Sequence, residues 1–180
     1  IGFLFSYKIR GGKLILLQVP FILFNLIILH PILNLGDKLR QLPLREASEL
    51  IINSKKINEP IAMVGIKKPS LHFYTNSLVI YEWNDKVALV NLAERLRLEK
   101  RYYNKSYIGE SAKSTNKFLL VIDNQTSKHS HWRNLNPELL GQFSIYKVWR
   151  LNKSSLQKRA EELISDGVQP DWQDPNPEKF

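Results

Sequence analysis

The 180-residue chain has no cysteine and, before Asp37, no acidic residue at all. Without cysteine there can be no disulfide scaffold, zinc ribbon, iron–sulfur site or thiol nucleophile. The sequence also lacks a Walker A loop, a G-x-S-x-G elbow and an H-E-x-x-H helix, so the common signatures of three catalytic classes are missing. No internal repeat recurs at ~20–50 residue spacing, which excludes a solenoid. What is present suffices for one ordinary domain: 43% hydrophobic residues can fill a packed core, so a wholly disordered chain is excluded. The chain opens on Ile1 and not on methionine, and the expectation is a segment from inside a longer protein.

The longest absence is of charge. Nothing ionised at neutral pH lies between Lys13 and Asp37, and residues 14–35 (LILLQVPFILFNLIILHPILNL) carry 16 apolar side chains in 22 positions. As a helix this stretch reaches ~33 Å, against a hydrocarbon thickness of ~30 Å. A buried core helix seldom runs so long without charge. A cleaved signal peptide fits poorly, since the apolar run is too long and no A-x-A site follows. The reading is therefore a transmembrane helix over 14–35. Gln18, Asn25, His30 and Asn34 raise its insertion cost, and Pro20 and Pro31 predict kinks, so it suits a helix covered by neighbouring spans. Lys8, Arg10 and Lys13 precede it with no acid among them, whereas Asp37, Lys38 and Arg40 follow. The positive-inside rule then puts residues 1–13, the end of a preceding span and a loop, on the cytoplasmic side. Residues 36–180 are expected on the extracytoplasmic side of a multi-pass inner-membrane protein.

Of the formal net charge of +9, three cations precede Asp37, leaving +6 over residues 37–180. Lys and Arg alternate there with acids, unlike the one-sided cluster of a nucleic-acid footprint. Anionic lipid or a lipid phosphate would explain the same excess. Leu44–Lys56 has apolar residues at helical spacing after Pro43. Ile61–Ile66 and Leu78–Tyr81 read as strands flanking a short helix begun by Pro69. Val87–Arg101 reads as a helix, Phe118–Ile122 as a strand and Thr126–Arg133 as a short helix. Phe143–Leu151 reads as one final strand, and residues 152–167 as a C-terminal helix. Residues 168–180, with three prolines, read as a loose tail. The alternation implies an α/β domain over 36–151 with a mostly parallel sheet of about four strands.

The densest local constellation runs from Gly65 to Tyr74 (GIKKPSLHFY). Two lysines between a strand and a proline-started helix would bring cations and backbone N–H groups to one spot. Lys67, Lys68, Ser70, His72 and Tyr74 are thus candidates for contact with a phosphate or anionic sugar, against the plainer reading of a solvated βα turn. His129-x-His131 supplies two metal ligands with no third in view, and a solvated loop is the simpler account. His30 is read as a helix-packing polar group. Tyr102–Tyr107 is read as a mobile loop whose aromatics could stack on bases or sugars.

Lys68-Pro69-Ser70-Leu71 followed by Phe73-Tyr74-Thr75 between two strands, with LRQLPLRE at Leu39–Glu46 upstream, resembles a known pattern. It is that of the C-terminal region of bacterial glycosyltransferases of the dolichyl-phosphate-mannose protein mannosyltransferase superfamily, aminoarabinose transferase-like enzymes included. The resemblance covers roughly residues 1–151. It implies a multi-span membrane enzyme that moves a sugar from a polyprenyl-phosphate donor to an acceptor on the outer membrane face. It implies displacement at the anomeric carbon, with a carboxylate activating the acceptor. The family's catalytic acid sits in an early extramembrane loop, so no catalytic residue is assigned here; Asp37 lies at the wrong end for that role. His72 stands where the pattern has an apolar residue.

The implied partners are the polyprenyl-phosphate-linked sugar, the bilayer and upstream transmembrane helices of the same protein, with no nucleic acid. No cofactor is identifiable, and a divalent metal requirement of the full-length enzyme stays open. The alternative is a membrane-tethered, non-enzymatic binding or sensor domain. A cytosolic nucleic-acid-binding domain ranks third.

Overall fold

The computed structural model describes residues 11–106 and 115–173. The chain divides into two units, Ile1–Leu42 and Pro43–Phe180. The first is helical: α1 (Gly11–Phe24), a π-helical turn (Asn25–Leu29) and α2 (His30–Arg40). Pro31 has no N–H to donate, and the ladder adjusts just before it. The His30 N–H reaches five residues back to the Asn25 carbonyl, and the Asn25 side-chain amide donates to the Phe21 carbonyl at 2.8 Å. Gln18–Arg40 is long and apolar enough to cross a membrane, and none of that window is buried within the protein. The expected cytoplasmic loop is shorter than the sequence suggested, because Gly11–Lys13 already belong to α1. Lys8, Arg10 and the expected preceding span lie outside the described residues.

The second unit is a five-stranded mixed sheet between two helical layers. Its elements are α3 (Leu42–Ser54), β1 (Ile61–Val64), α4 (Ser70–Thr75), β2 (Val79–Glu82), α5 (Lys86–Ser106) and β3 (Lys117–Asp123). A 3₁₀ turn (Thr126–Lys128), α6 (Ser130–Arg133), β4 (Glu138–Phe143), β5 (Tyr146–Asn152) and α7 (Lys153–Ser165) follow. The strand order is β2-β1-β3-β5-β4; β1 is parallel to β2 and β3, while β5 is antiparallel to β3 and β4.

Strand alternation sorts the core into two halves. Ala62, Val64, Phe118, Leu120, Ile122, Trp149 and Leu151 face one side, where Leu89, Leu92 and Leu96 of α5, Trp132 of α6 and Leu156 and Leu163 of α7 cover them. Ile61, Met63, Leu119, Val121, Tyr146 and Val148 face the other side, against Leu44, Ala47 and Ile51 of α3 and Leu71 of α4. The near-continuous apolar run FLLVI is therefore a central strand buried on both faces.

Three sequence expectations change. The expected fourth strand is a hairpin: β4 and β5 meet at a turn where Ser144 adopts φ 51°, which adds a fifth strand. Residues 102–106 continue α5 and are not a loop, while Tyr107 lies outside the described residues. The first part of the expected tail is held in place. Asn91 Nδ2 donates to Asp171 Oδ1 at 2.7 Å, the Asp171 N–H returns to Asn91 Oδ1 at 3.0 Å, and Trp172 Nε1 donates to Glu94 Oε2 at 2.8 Å. Val168 packs on the core below them.

Candidate functional site

The three parallel strands end together, Val64 beside Glu82 and Ile122, and in open α/β sheets this edge is where ligands bind. A knot of hydrogen bonds closes it. Asp123, the last residue of β3, accepts from Thr126 Oγ1 at 2.6 Å, from the Thr126 and Gln125 amides at 2.9 Å each, and from the Ile66 amide at 3.3 Å. Burial alone would raise this carboxyl, but the bonds from Thr126, Ile66 and Gln125 outweigh it and hold it below the ordinary range. Gly65 leaves β1 at φ 87°, and any Cβ there would run into the Asp123 and Thr126 side chains. Glycine is required on both counts.

Beside the knot sits a second cluster. Glu82 is buried, accepts from Arg95 Nη1 at 2.6 Å and lies 3.5 Å from Asn91 Nδ2. Its burial pushes the carboxyl up, against the pull of Arg95. Lys67 is half-buried, with its ammonium 4.1 Å from the centroid of the exposed Trp83 ring. Burial lowers this lysine, and the nearby Glu82 charge offsets part of the shift.

The five residues expected to contact an anion have different partners in the fold. Lys67 is engaged with Trp83. Lys68 contributes its carbonyl, which accepts from the Tyr81 hydroxyl at 3.2 Å and from the Leu71 amide at 2.9 Å. Ser70 is half-buried at the start of α4. The His72 amide donates to the Pro69 carbonyl at 3.1 Å and to the Tyr81 hydroxyl at 3.3 Å, and its Nδ1 lies 2.6 Å from the Ser77 carbonyl. Tyr74 turns towards α3, where Arg45 Nε donates to its hydroxyl at 3.5 Å. Two amides that an anion at the α4 start would use are thus already engaged, and Pro69 has none to offer.

His131 departs from the solvated-loop reading. It is buried in α6, its Nε2 lies 2.9 Å from the Asn84 carbonyl, and burial lowers its pKa. His129 is exposed, and among the described residues no three His, Cys, Asp or Glu side chains come together as metal ligands. His30 is exposed along the apolar helix.

Sequence reasoning missed Gly65 as a steric requirement, and it did not single out Glu82, Trp83, Arg95 or Asp123 as site residues: Asp123 reads only as a turn and Arg95 only as an exposed helix position. Asp123 and Glu82 each close an apolar strand, a placement legible in hindsight, but the bonds that tie them to other elements come from residues 57 positions away (Ile66 to Asp123) and 13 positions away (Arg95 to Glu82). Among the described residues the buried carboxylates Glu59, Glu82 and Asp123 are all paired, the first at the starting ends of the parallel strands and the other two at their finishing ends. A second concave surface, a polar groove of about 360 Å³, lies between the loop before β4 and α7, lined by Asn134, Asn136, Ser155, Lys158, Arg159 and Glu162.

The class is that of an α/β domain preceded by an apolar, unburied helix long enough to cross a membrane. Residues 54–167 match the family described as cyanobacterial RgtA-type glycosyltransferase, C-terminal domain. That match spans more than half of the chain, so the chain belongs to this glycosyltransferase family. No curated protein and no solved structure matches the chain.

Proposed function

We propose that this chain is the C-terminal part of an integral membrane enzyme that transfers a sugar from a polyprenyl-phosphate donor to an acceptor on the outer membrane face. The observation that carries the reading is the pairing of the family match over 54–167 with the unburied apolar helix Gln18–Arg40 immediately before it. In this reading residues 18–40 span an inner membrane of the bacterial type as one of several spans. The α/β domain lies outside, where donor and acceptor meet. Its buried carboxylates are all spent on internal bonds, so it positions partners while the chemistry is done elsewhere in the enzyme.

Residues 1–180 carry no cysteine, so a single introduced one reports sidedness once any cysteine elsewhere in the full-length protein is replaced. A cysteine placed at the exposed Ile57 should react with a membrane-impermeant maleimide in intact spheroplasts; reaction only after lysis overturns the orientation. Membranes containing the full-length protein should move radiolabelled sugar from polyprenyl phosphate to endogenous acceptor, and deletion of residues 43–180 should abolish the transfer. Full transfer after that deletion would remove the domain from the reaction. No transfer from any polyprenyl-phosphate sugar by the intact protein would favour a non-enzymatic binding domain.

A further inference from the structure

The edge where the parallel strands end carries more than the polar knot. Ile66, just past β1, is 43% exposed, Trp83, just past β2, is 56% exposed, and Ile145, in the β4–β5 turn, is 44% exposed. They share one edge. The Gly65 amide donates to the Glu82 carbonyl, Ile66 bonds to Asp123, and the Asn124 amide donates to the Ile145 carbonyl at 2.8 Å. Lysines are interspersed: Lys67 over the Trp83 ring, Lys68 next to it, and Lys147 with its ammonium on Ser127 Oγ at 3.1 Å. Glu82 and Asp123, which end strands here, are buried and paired. The exposed Asp85 accepts from the Ala88 amide and lies near Lys67, but Lys67, Lys68, Lys86 and Lys147 outnumber it, so the outward charge of the edge is net positive.

Ile57 and Leu78, at the opposite end of the sheet, are also exposed, so exposure alone does not choose between the ends. The chain path does. The last turn of α3 is fastened at the starting ends of the parallel strands: Arg150 Nη2 donates to the Ser54 carbonyl at 2.6 Å, and Lys55 Nζ donates to Ser77 Oγ at 2.9 Å. From there α3 runs back ~18 Å along the sheet, further than the ~13 Å of four-residue β1. The chain therefore enters the domain at the end where β1, β2 and β3 finish, and one residue, Gln41, separates α2 from α3.

We propose that this edge, with Ile66, Trp83 and Ile145 as apolar contacts and Lys67, Lys68 and Lys147 as cations, rests on the anionic headgroup surface of the bilayer. An indole prefers the interface between apolar and wet phases, and lysines bury their stems while their ammonium groups meet lipid phosphates. The proposal rests on the reading of residues 18–40 as a membrane span.

Single cysteines at Ile66, Ile145 and, as the opposite-end reference, Ile57 can be spin-labelled in the full chain in nanodiscs. In phosphatidylglycerol-containing discs the labels at 66 and 145 should collide with aqueous nickel at least about threefold less often than the label at 57. The protection should be lost in pure phosphatidylcholine and in the Lys67→Gln/Lys68→Gln variant. Equal accessibility at all three sites in anionic discs overturns the proposal. Protection that persists in neutral lipid overturns its charge component, and protection that persists in lipid-free detergent at dimer-forming concentration points to a second copy and overturns it altogether. Recovery of the chain in the soluble fraction without detergent would instead overturn the span itself, a distinct failure.

Discussion

Gly65 carries the sharpest constraint on any single residue. Its φ of 87° and the carboxylate behind it leave no room for a side chain. Gly65→Ala should cost at least about 2 kcal/mol, read as a lower urea midpoint in detergent solution, because a strained backbone adds to the loss of the Asp123 bonds. An unchanged midpoint would refute the steric account. His131 gives a pH signature. Its folded pKa is below 6.5, so the unfolded chain takes up a proton first as pH falls and the folded state loses ground. Stability should be fully present above about pH 7 and fall on acidification through about pH 6. His131→Gln, whose amide can still reach the Asn84 carbonyl, should flatten that part of the profile. An equally steep profile in the variant would assign the loss to other groups.

Among elements, the most consequential fastening is the ion pair that joins β5 to the loop before β1. Arg150 Nε lies 2.8 Å from Glu59 Oε1, Glu59 is fully buried, and the Lys56 amide also donates to Glu59. Arg150→Met should cost about 3–5 kcal/mol by stranding the carboxylate, whereas the Glu59→Gln/Arg150→Met double variant should recover much of the loss. A double variant as unstable as the single one would contradict this. Truncation after Gly167 removes the Asp171 and Trp172 bonds to α5 and should lower stability by about 1–3 kcal/mol, with faster amide exchange in α5. The elements were legible to different degrees. FLLVI announces a buried strand by its composition alone. The β4–β5 hairpin hides because its turn residue, Ser144, takes a left-handed conformation without the Gly or Asn that usually marks one, and because Glu138–Phe143 is an edge strand with mixed polarity. Residues 168–173 read as a tail because the partners that hold them, Asn91 and Glu94, lie about eighty positions away.

For the whole molecule, the decisive quantity is the unburied apolar helix. Replacing Ile27 or Leu33 by Arg should each cost about 2.5–3.5 kcal/mol of insertion and shift the chain from the membrane to the soluble or degraded fraction. Unchanged membrane recovery of the double variant would show that these residues do not face lipid. Charge distribution belongs to the same scale. The +6 of residues 37–180 looks diffuse along the chain, yet folding buries Glu82 and Asp123 where the parallel strands finish and leaves Lys67, Lys68 and Lys147 partly exposed there. An overall excess thereby becomes a local one at the strand ends.

Local order alone determined the apolar helix, the alternation of strands and helices and the family resemblance centred on Lys68–Thr75, since each depends on residues within a turn or two of one another. The tertiary structure decided which candidates meet. It tied Asp123 to Gly65 and Ile66, set Lys67 on Trp83 instead of beside His72 and Tyr74, and fastened Arg150 to Glu59. Those contacts join residues 16 to 91 positions apart, and no periodicity or spacing rule reaches across such a distance until the sheet has closed it.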